Sequence, residues 1–258
     1  MRKSSLVTAA AIAVVAYAAA DVVHEAVGHA LVAKILGIRV LSISTVAAPT
    51  AQDSRAVAAA GTVANVVMGA IALALVVRKR RFSATAYSLW LFGVVSAMNI
   101  GYLMYSGLTA SADWAAVIAG ARPYWAWRLF LVAAGYILYT TVIRIAAGAA
   151  TPWIADGDTS IADLRRVIRV SYVAGGALLM LGSAFNPFGR DLILISGVGA
   201  SFGLTLGLLL VPRSLASDVK EPGWISTVLE LEPAWIVAAL IVGSVFVGFL
   251  GPGIRLAR

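Results

Sequence analysis

Seven stretches of this chain are apolar enough to enter a lipid bilayer, and short polar breaks separate them. They cover residues 4–36, 55–77, 84–108, 124–147, 170–185, 191–210 and 234–250. A helical membrane crossing takes about 20 such residues. Backbone polar groups find no partner in hydrocarbon, so a crossing segment must satisfy them internally as a helix or in a closed barrel. Runs of this length predict helices. The 258 residues are 61% hydrophobic and only 12% charged, against about 45–50% and about 25% in soluble domains. A soluble globule and a disordered chain are thereby excluded. The expected fold is an all-α polytopic membrane protein of about six or seven transmembrane helices. One integral membrane domain over 1–258 is expected, with no internal repeat.

The first run follows a short basic start, Met1-Arg2-Lys3, and contains no proline. It outlasts the apolar segment of a cleaved leader and exceeds the hydrocarbon thickness, so it must tilt, bend or protrude. Gly37 suits the helix C-cap. Residues 38–45 alternate and are rich in β-branched side chains, which predicts a short strand or extended edge, broken at Ala48-Pro49-Thr50. Asn186-Pro187-Phe188-Gly189 reads as a turn. The net charge of +8, on so apolar a chain, points to cytoplasmic loops and lipid headgroups and not to nucleic acid. The Arg78–Arg81 cluster, with Arg165, Arg166 and Arg169, places the N-terminus inside. A multi-pass location in a bacterial or archaeal cell membrane is expected. Trp90, Trp125 and Trp127 are read as interfacial anchors.

There is no cysteine, so disulfides, thiol catalysis and cysteine metal sites are excluded. The only two histidines frame the hexapeptide His24-Glu25-Ala26-Val27-Gly28-His29, inside the first apolar run. Ionisable residues there are costly unless paired or functional. One reading is a packed, hydrogen-bonded pair with Glu25 as partner. The other is a metal site. In His-Glu-x-x-His the two histidines share a helical face and the glutamate is a general base. Here one residue is inserted, and a five-residue step on an α-helix sets the imidazoles about 140° apart. A π-bulge would bring them back to one side, and Gly28 tolerates that distortion.

The hexapeptide matches the zinc-binding His-Glu-x-x-Gly-His pattern of the dipeptidyl peptidase III family letter for letter. A second resemblance covers roughly the first 115 residues. The segment His24–Val40, the extended stretch after it, and Ala60-Gly61-Thr62-Val63-Ala64-Asn65 resemble intramembrane zinc metallopeptidases of the site-2 protease family. Thr62 stands where that family's Ala-Gly-Pro-x-x-Asn motif has proline. The resemblance implies a core over 1–115 with additional transmembrane helices over 116–258. It also implies a Zn2+ ion held by His24 and His29, with Glu25 as general base and a membrane-embedded or juxtamembrane peptide as substrate. Asn65 or Asn99 would stabilise the oxyanion, and Asp21 would orient an imidazole. The family's third ligand is an aspartate two helices further on. Asp113 has the right order but lacks the family's Leu-Asp-Gly. Asp191, at the mouth of the sixth run, is the rival, and Asp53 or no protein ligand are the remaining choices. The contrasting class is a transporter, scaffold or inactive homologue whose His/Glu cluster binds a metal or protons. The sequence leaves the oligomeric state open.

Overall fold

A computed structural model describes residues 5–79, 81–187, 198–199, 201–218 and 229–256. Six helices among them are long and apolar enough to cross a bilayer, and the chain is an all-α polytopic membrane protein with one two-stranded ladder. Helix α1 covers Leu6–Ile35, and β1 (Ser42–Ile43) follows. Next come α2 (Arg55–Val77), then α3 (Ala84–Met98) and α4 (Gly101–Thr109), which form one crossing interrupted at 99–100. Short α5 (Ala112–Val117) precedes α6 (Tyr124–Ala155) and α7 (Ile161–Ala184). A 3-10 turn at Leu206–Leu210 leads into α8 (Val211–Asp218). Helix α9 (Pro233–Val245) continues as a π turn to Leu250, and β2 (Ile254–Arg255) pairs antiparallel with β1.

Local chemistry sets several of these bounds. Ser5, Ser54, Ser83 and Ser160 each accept a hydrogen bond from the backbone N–H three residues on, the N-cap arrangement that satisfies an orphan donor. At the end of α1, Gly37 takes φ +71°. The N–H of Ile38 then reaches Ala33 O at 2.8 Å and that of Gly37 reaches Lys34 O at 3.1 Å, a Schellman closure.

Three expectations need correction. The fourth run was expected to end at 147, but α6 continues through Pro152 to Ala155 because its last turns bury Ala149, Ala150, Trp153 and Ile154. Packing there overrides the polar sequence and the proline. The fifth begins at Ile161, not near 170, because Ser160 caps a face that buries Leu164, Val167 and Ile168. Trp90 is fully buried, so it is no interfacial anchor: its Nε1 donates to Ala146 O at 2.9 Å and its ring stacks on Tyr87. Trp125 and Trp127 are exposed in the first turn of α6. Most of the expected sixth run, 191–210, lies outside the described residues up to 200; beyond it a shorter apolar helix spans Ser201–Leu215.

The core sits where α1, α3, α6 and α7 meet, around Trp90, Trp153, Tyr87 and Tyr17. Tyr87 Oη lies 2.8 Å from Ser171 Oγ, which donates to Ala9 O at 3.2 Å, so three helices are clasped by hydroxyls. At the end where the N-terminus lies, buried Asp158 accepts from Phe82 N at 2.8 Å and from Arg81 Nη1 at 3.2 Å. At the opposite end, residues 39–51 fold back on themselves through Leu41 N to Pro49 O and a Val40–Thr50 bridge. Beside them Thr45 N donates to Leu250 O at 3.1 Å and Asn186 Nδ2 to Gly251 O at 3.1 Å.

Candidate metal centre

Helix α1 is not regular throughout. Val23–Ala30 is a π-helix, and it buries His24, Glu25 and His29. In a π turn hydrogen bonds run from i to i+5, so residues five apart stack on one side. The two imidazoles accordingly meet edge to face with centroids 4.8 Å apart. Two glycines allow helix α2 to come against them. A Cβ on Gly28 would collide with Gly61 Cα and lie 2.9 Å from Ala60 O. A Cβ on Gly61 would lie 2.6 Å from both histidine Nε2 atoms. The side chain that Gly61 lacks therefore leaves a space that both ring nitrogens border.

Asp113 closes this space from the other side. Its Oδ2 is 3.1 Å from His24 Nε2 and 3.5 Å from His29 Nε2, and its side chain is 24% exposed. Burial raises the carboxyl's pKa, but hydrogen bonds and charge attraction from the two imidazoles outweigh it and hold the group well below the usual carboxylate range. The chain reaches this position by an abrupt reversal after α4, with Ala110 at φ +55° and Ala112 at φ +63°. Left-handed backbone at non-glycine residues costs about 1–3 kcal/mol each and persists where surrounding contacts demand it. One such contact is Trp114 Nε1 donating to Thr62 Oγ1 at 3.1 Å. Arg55 Nη2 donates to Ala119 O and ties the turn that follows α5 to the start of α2.

Hydrogen bonds behind the rings settle how they face the space. His29 Nδ1–H donates to Val57 O at 2.7 Å, which turns Nε2 toward the space, where it offers a lone pair whenever the ring is neutral. His24 Nδ1 lies 3.3 Å from Asn65 Nδ2, while Asn65 Oδ1 is buried without a partner among the described residues. Rotating that amide would let His24 Nδ1–H donate to Oδ1 and turn Nε2 toward the space in the same way, leaving Nδ2 as the amide atom without a partner. Tyr102 packs its ring on His24 at 5.2 Å.

The sequence-predicted residues distribute as follows. His24, Glu25, His29, Asp113 and Asn65 converge. Asp191 lies outside the described residues. Asp21 sits one turn before Glu25, but both ring nitrogens of His24 face Asn65 and Asp113, so Asn65 and not Asp21 orients that imidazole. Asn99 Nδ2 donates to Val95 O within its own crossing. Sequence reasoning did not find the roles of Tyr102, Thr62 or the Val57 carbonyl, because each acts through a contact between helices.

The donor set fits zinc. His24, Glu25 and His29 offer ligand atoms within 4.8 Å of one another. Tetrahedral zinc with bonds of about 2.0–2.2 Å spaces its ligand atoms about 3.3–3.6 Å apart, close to the separations from Asp113 to the two nitrogens. Glu25 Oε2 is buried and has no hydrogen-bond partner among the described residues. A cleft of about 610 Å³ opens onto Glu25, His29 and Asp113, walled by residues 46–50 and by Asp53, Ser54 and Arg55. No protein-family model, curated protein or solved structure matches this chain.

Proposed function

We propose that this protein is a membrane-embedded zinc metallopeptidase resembling the site-2 protease family, hydrolysing peptide bonds of membrane or juxtamembrane substrates. The observation that carries the reading is the convergence of His24, His29 and Asp113 beside the unpartnered Glu25 Oε2. The two Nε2 atoms and Asp113 Oδ2 would hold the ion. When bound, zinc supplies Lewis acidity that polarises a carbonyl and makes a water easier to deprotonate. Glu25 accepts that proton and passes it to the leaving amine nitrogen. The water oxygen bonds to the carbonyl carbon as the C–N bond breaks, so each turnover consumes one water. The Val57 carbonyl and Asn65 hold the imidazoles in register. The open cleft admits a peptide in extended form, whose carbonyls are no longer engaged within a helix.

One observation also favours a non-catalytic reading. The His24–Asp113 contact at 3.1 Å is satisfactory as a hydrogen bond without metal, as a proton- or metal-binding cluster in a transporter, scaffold or inactive homologue would have it. Purified Glu25→Gln separates the two. It should retain about one zinc per chain and lose cleavage of single-span membrane peptides by about 10²–10⁴-fold. Wild-type protein without zinc, or Glu25→Gln with undiminished cleavage, overturns the peptidase reading.

A further inference from the structure

A second, smaller chamber of about 40 Å³ shares Glu25 and Val46 with the cleft and reaches inward between α1, α2 and α7. Its lining is unusual for the middle of a membrane protein. Among the described residues seven buried side-chain polar atoms lack a hydrogen-bond partner, and four of them belong to residues lining this chamber: Tyr17 Oη, Glu25 Oε2, Thr45 Oγ1 and Asn65 Oδ1, whose place Nδ2 takes when the amide is rotated. Tyr17 Oη has Thr205 as a neighbour, but no hydrogen bond of good geometry joins them. All four residues are more than nine-tenths buried. Buried polar groups are almost always paired, with protein or with ordered water. A water needs roughly 10–15 Å³ of such space and two to four polar partners, so the chamber has room for about three waters.

We infer that the chamber binds a cluster of ordered waters behind Glu25 and supplies the hydrolytic reaction from inside the protein. The supply role rests on the peptidase reading; the water site does not. Hydrolysis takes one water per bond, and a peptide lying in the cleft covers the open approach to Glu25. The chamber meets Glu25 from its other side and stays connected to it. The residues that enclose it, Tyr17 on α1 and Thr205 beyond α7, lie partly outside the first 115 residues. This gives the later helices a part in the chemistry.

Hydroxyl-radical footprinting by X-ray radiolysis tests the site, because radicals form at bound waters and label the side chains beside them. Tyr17 and Tyr87 are both fully buried, but Tyr87 lies against Ser171 in the packed core. Tyr17 should label about tenfold or more faster than Tyr87, at a rate like that of Tyr124 at the solvent end of α6, if waters adjoin it. Tyr17 as protected as Tyr87 overturns the water site. Ala20 also lines the chamber. Ala20→Val should bring Tyr17 labelling down to the Tyr87 level and slow peptide cleavage about tenfold at unchanged zinc content. Lost labelling with undiminished cleavage overturns the supply role. If Ala20→Val does not fold, the isosteric Thr45→Val replaces it, with a smaller fall in labelling expected and an unchanged rate overturning the assignment. Labelling needs no turnover, so an inactive protein that labels at Tyr17 overturns the peptidase reading and leaves the water site standing.

Discussion

Single atoms decide whether this site can hold a metal. Gly61 is the sharpest case, since a methyl there would sit 2.6 Å from both Nε2 atoms, closer than real side-chain contacts allow. Gly61→Ala should force one imidazole aside and lower zinc affinity about 10–100-fold with helix content unchanged; a zinc titration against circular dichroism reads both. Asp113→Ala removes one of the three proposed ligands and should lower zinc affinity at least as far, whereas Asp191→Ala should leave zinc bound. The reverse result in a zinc-loading assay transfers the ligand role. Thr62→Val deletes the acceptor for Trp114 Nε1 and should weaken zinc binding by about tenfold through the misplaced Asp113. The histidines and Glu25 were legible because ionisable groups stand out in an apolar run. The Val57 carbonyl and the ring of Tyr102 were not, since every residue has a carbonyl and a tyrosine in a membrane helix is ordinary until its neighbour is known.

At the level of the element, the inserted residue carries the information. Five-residue spacing in an otherwise helical run leaves a choice between imidazoles pointing apart and a widened turn, and the chain adopts the widened turn over Val23–Ala30. Val27 is 43% exposed, so its own side chain contributes little packing. Deleting it should nevertheless be severe. The spacing would become regular, but Leu6–Val22 would rotate by about 100° against the rest of α1. Tyr17, whose ring fills the place a side chain on Gly175 would need, would leave α7. We expect aggregation or a strongly lowered melting temperature; a folded deletion variant with tighter zinc binding would contradict this account. The ends of α6 and α7 were less legible, because tertiary burial extended both into polar sequence.

Across the whole molecule, the later helices act as a brace. Helix α1 packs on α7 and α9 as well as on α3, and the two ends of the bundle are tied by separate clasps. Asp158→Ala should remove the acceptor for Phe82 N and Arg81 and cost about 1–3 kcal/mol. It should lower the melting temperature while zinc content stays the same, because the clasp lies at the end opposite the metal centre. A fall in zinc content equal to that of Asp113→Ala would show the two ends to be coupled. The outer faces of α6 and α9 are apolar and exposed, with Leu129, Phe130, Val237, Leu240, Ile241 and Phe249 turned outward, as lipid contact requires.

The pairing of β2 with β1 also has a practical consequence. Leu256 N donates to Leu41 O, and Leu41 belongs to the folded-back segment whose returning arm walls the cleft. Leu256 therefore lies one strand away from the cleft's rim, not on a distant surface. An affinity tag or fluorescent protein joined there would compete for space with any peptide entering the cleft. A fusion ahead of Ser5 would instead emerge at the other end of the bundle. Reporter placement thus decides whether an assay sees the protein or its obstruction.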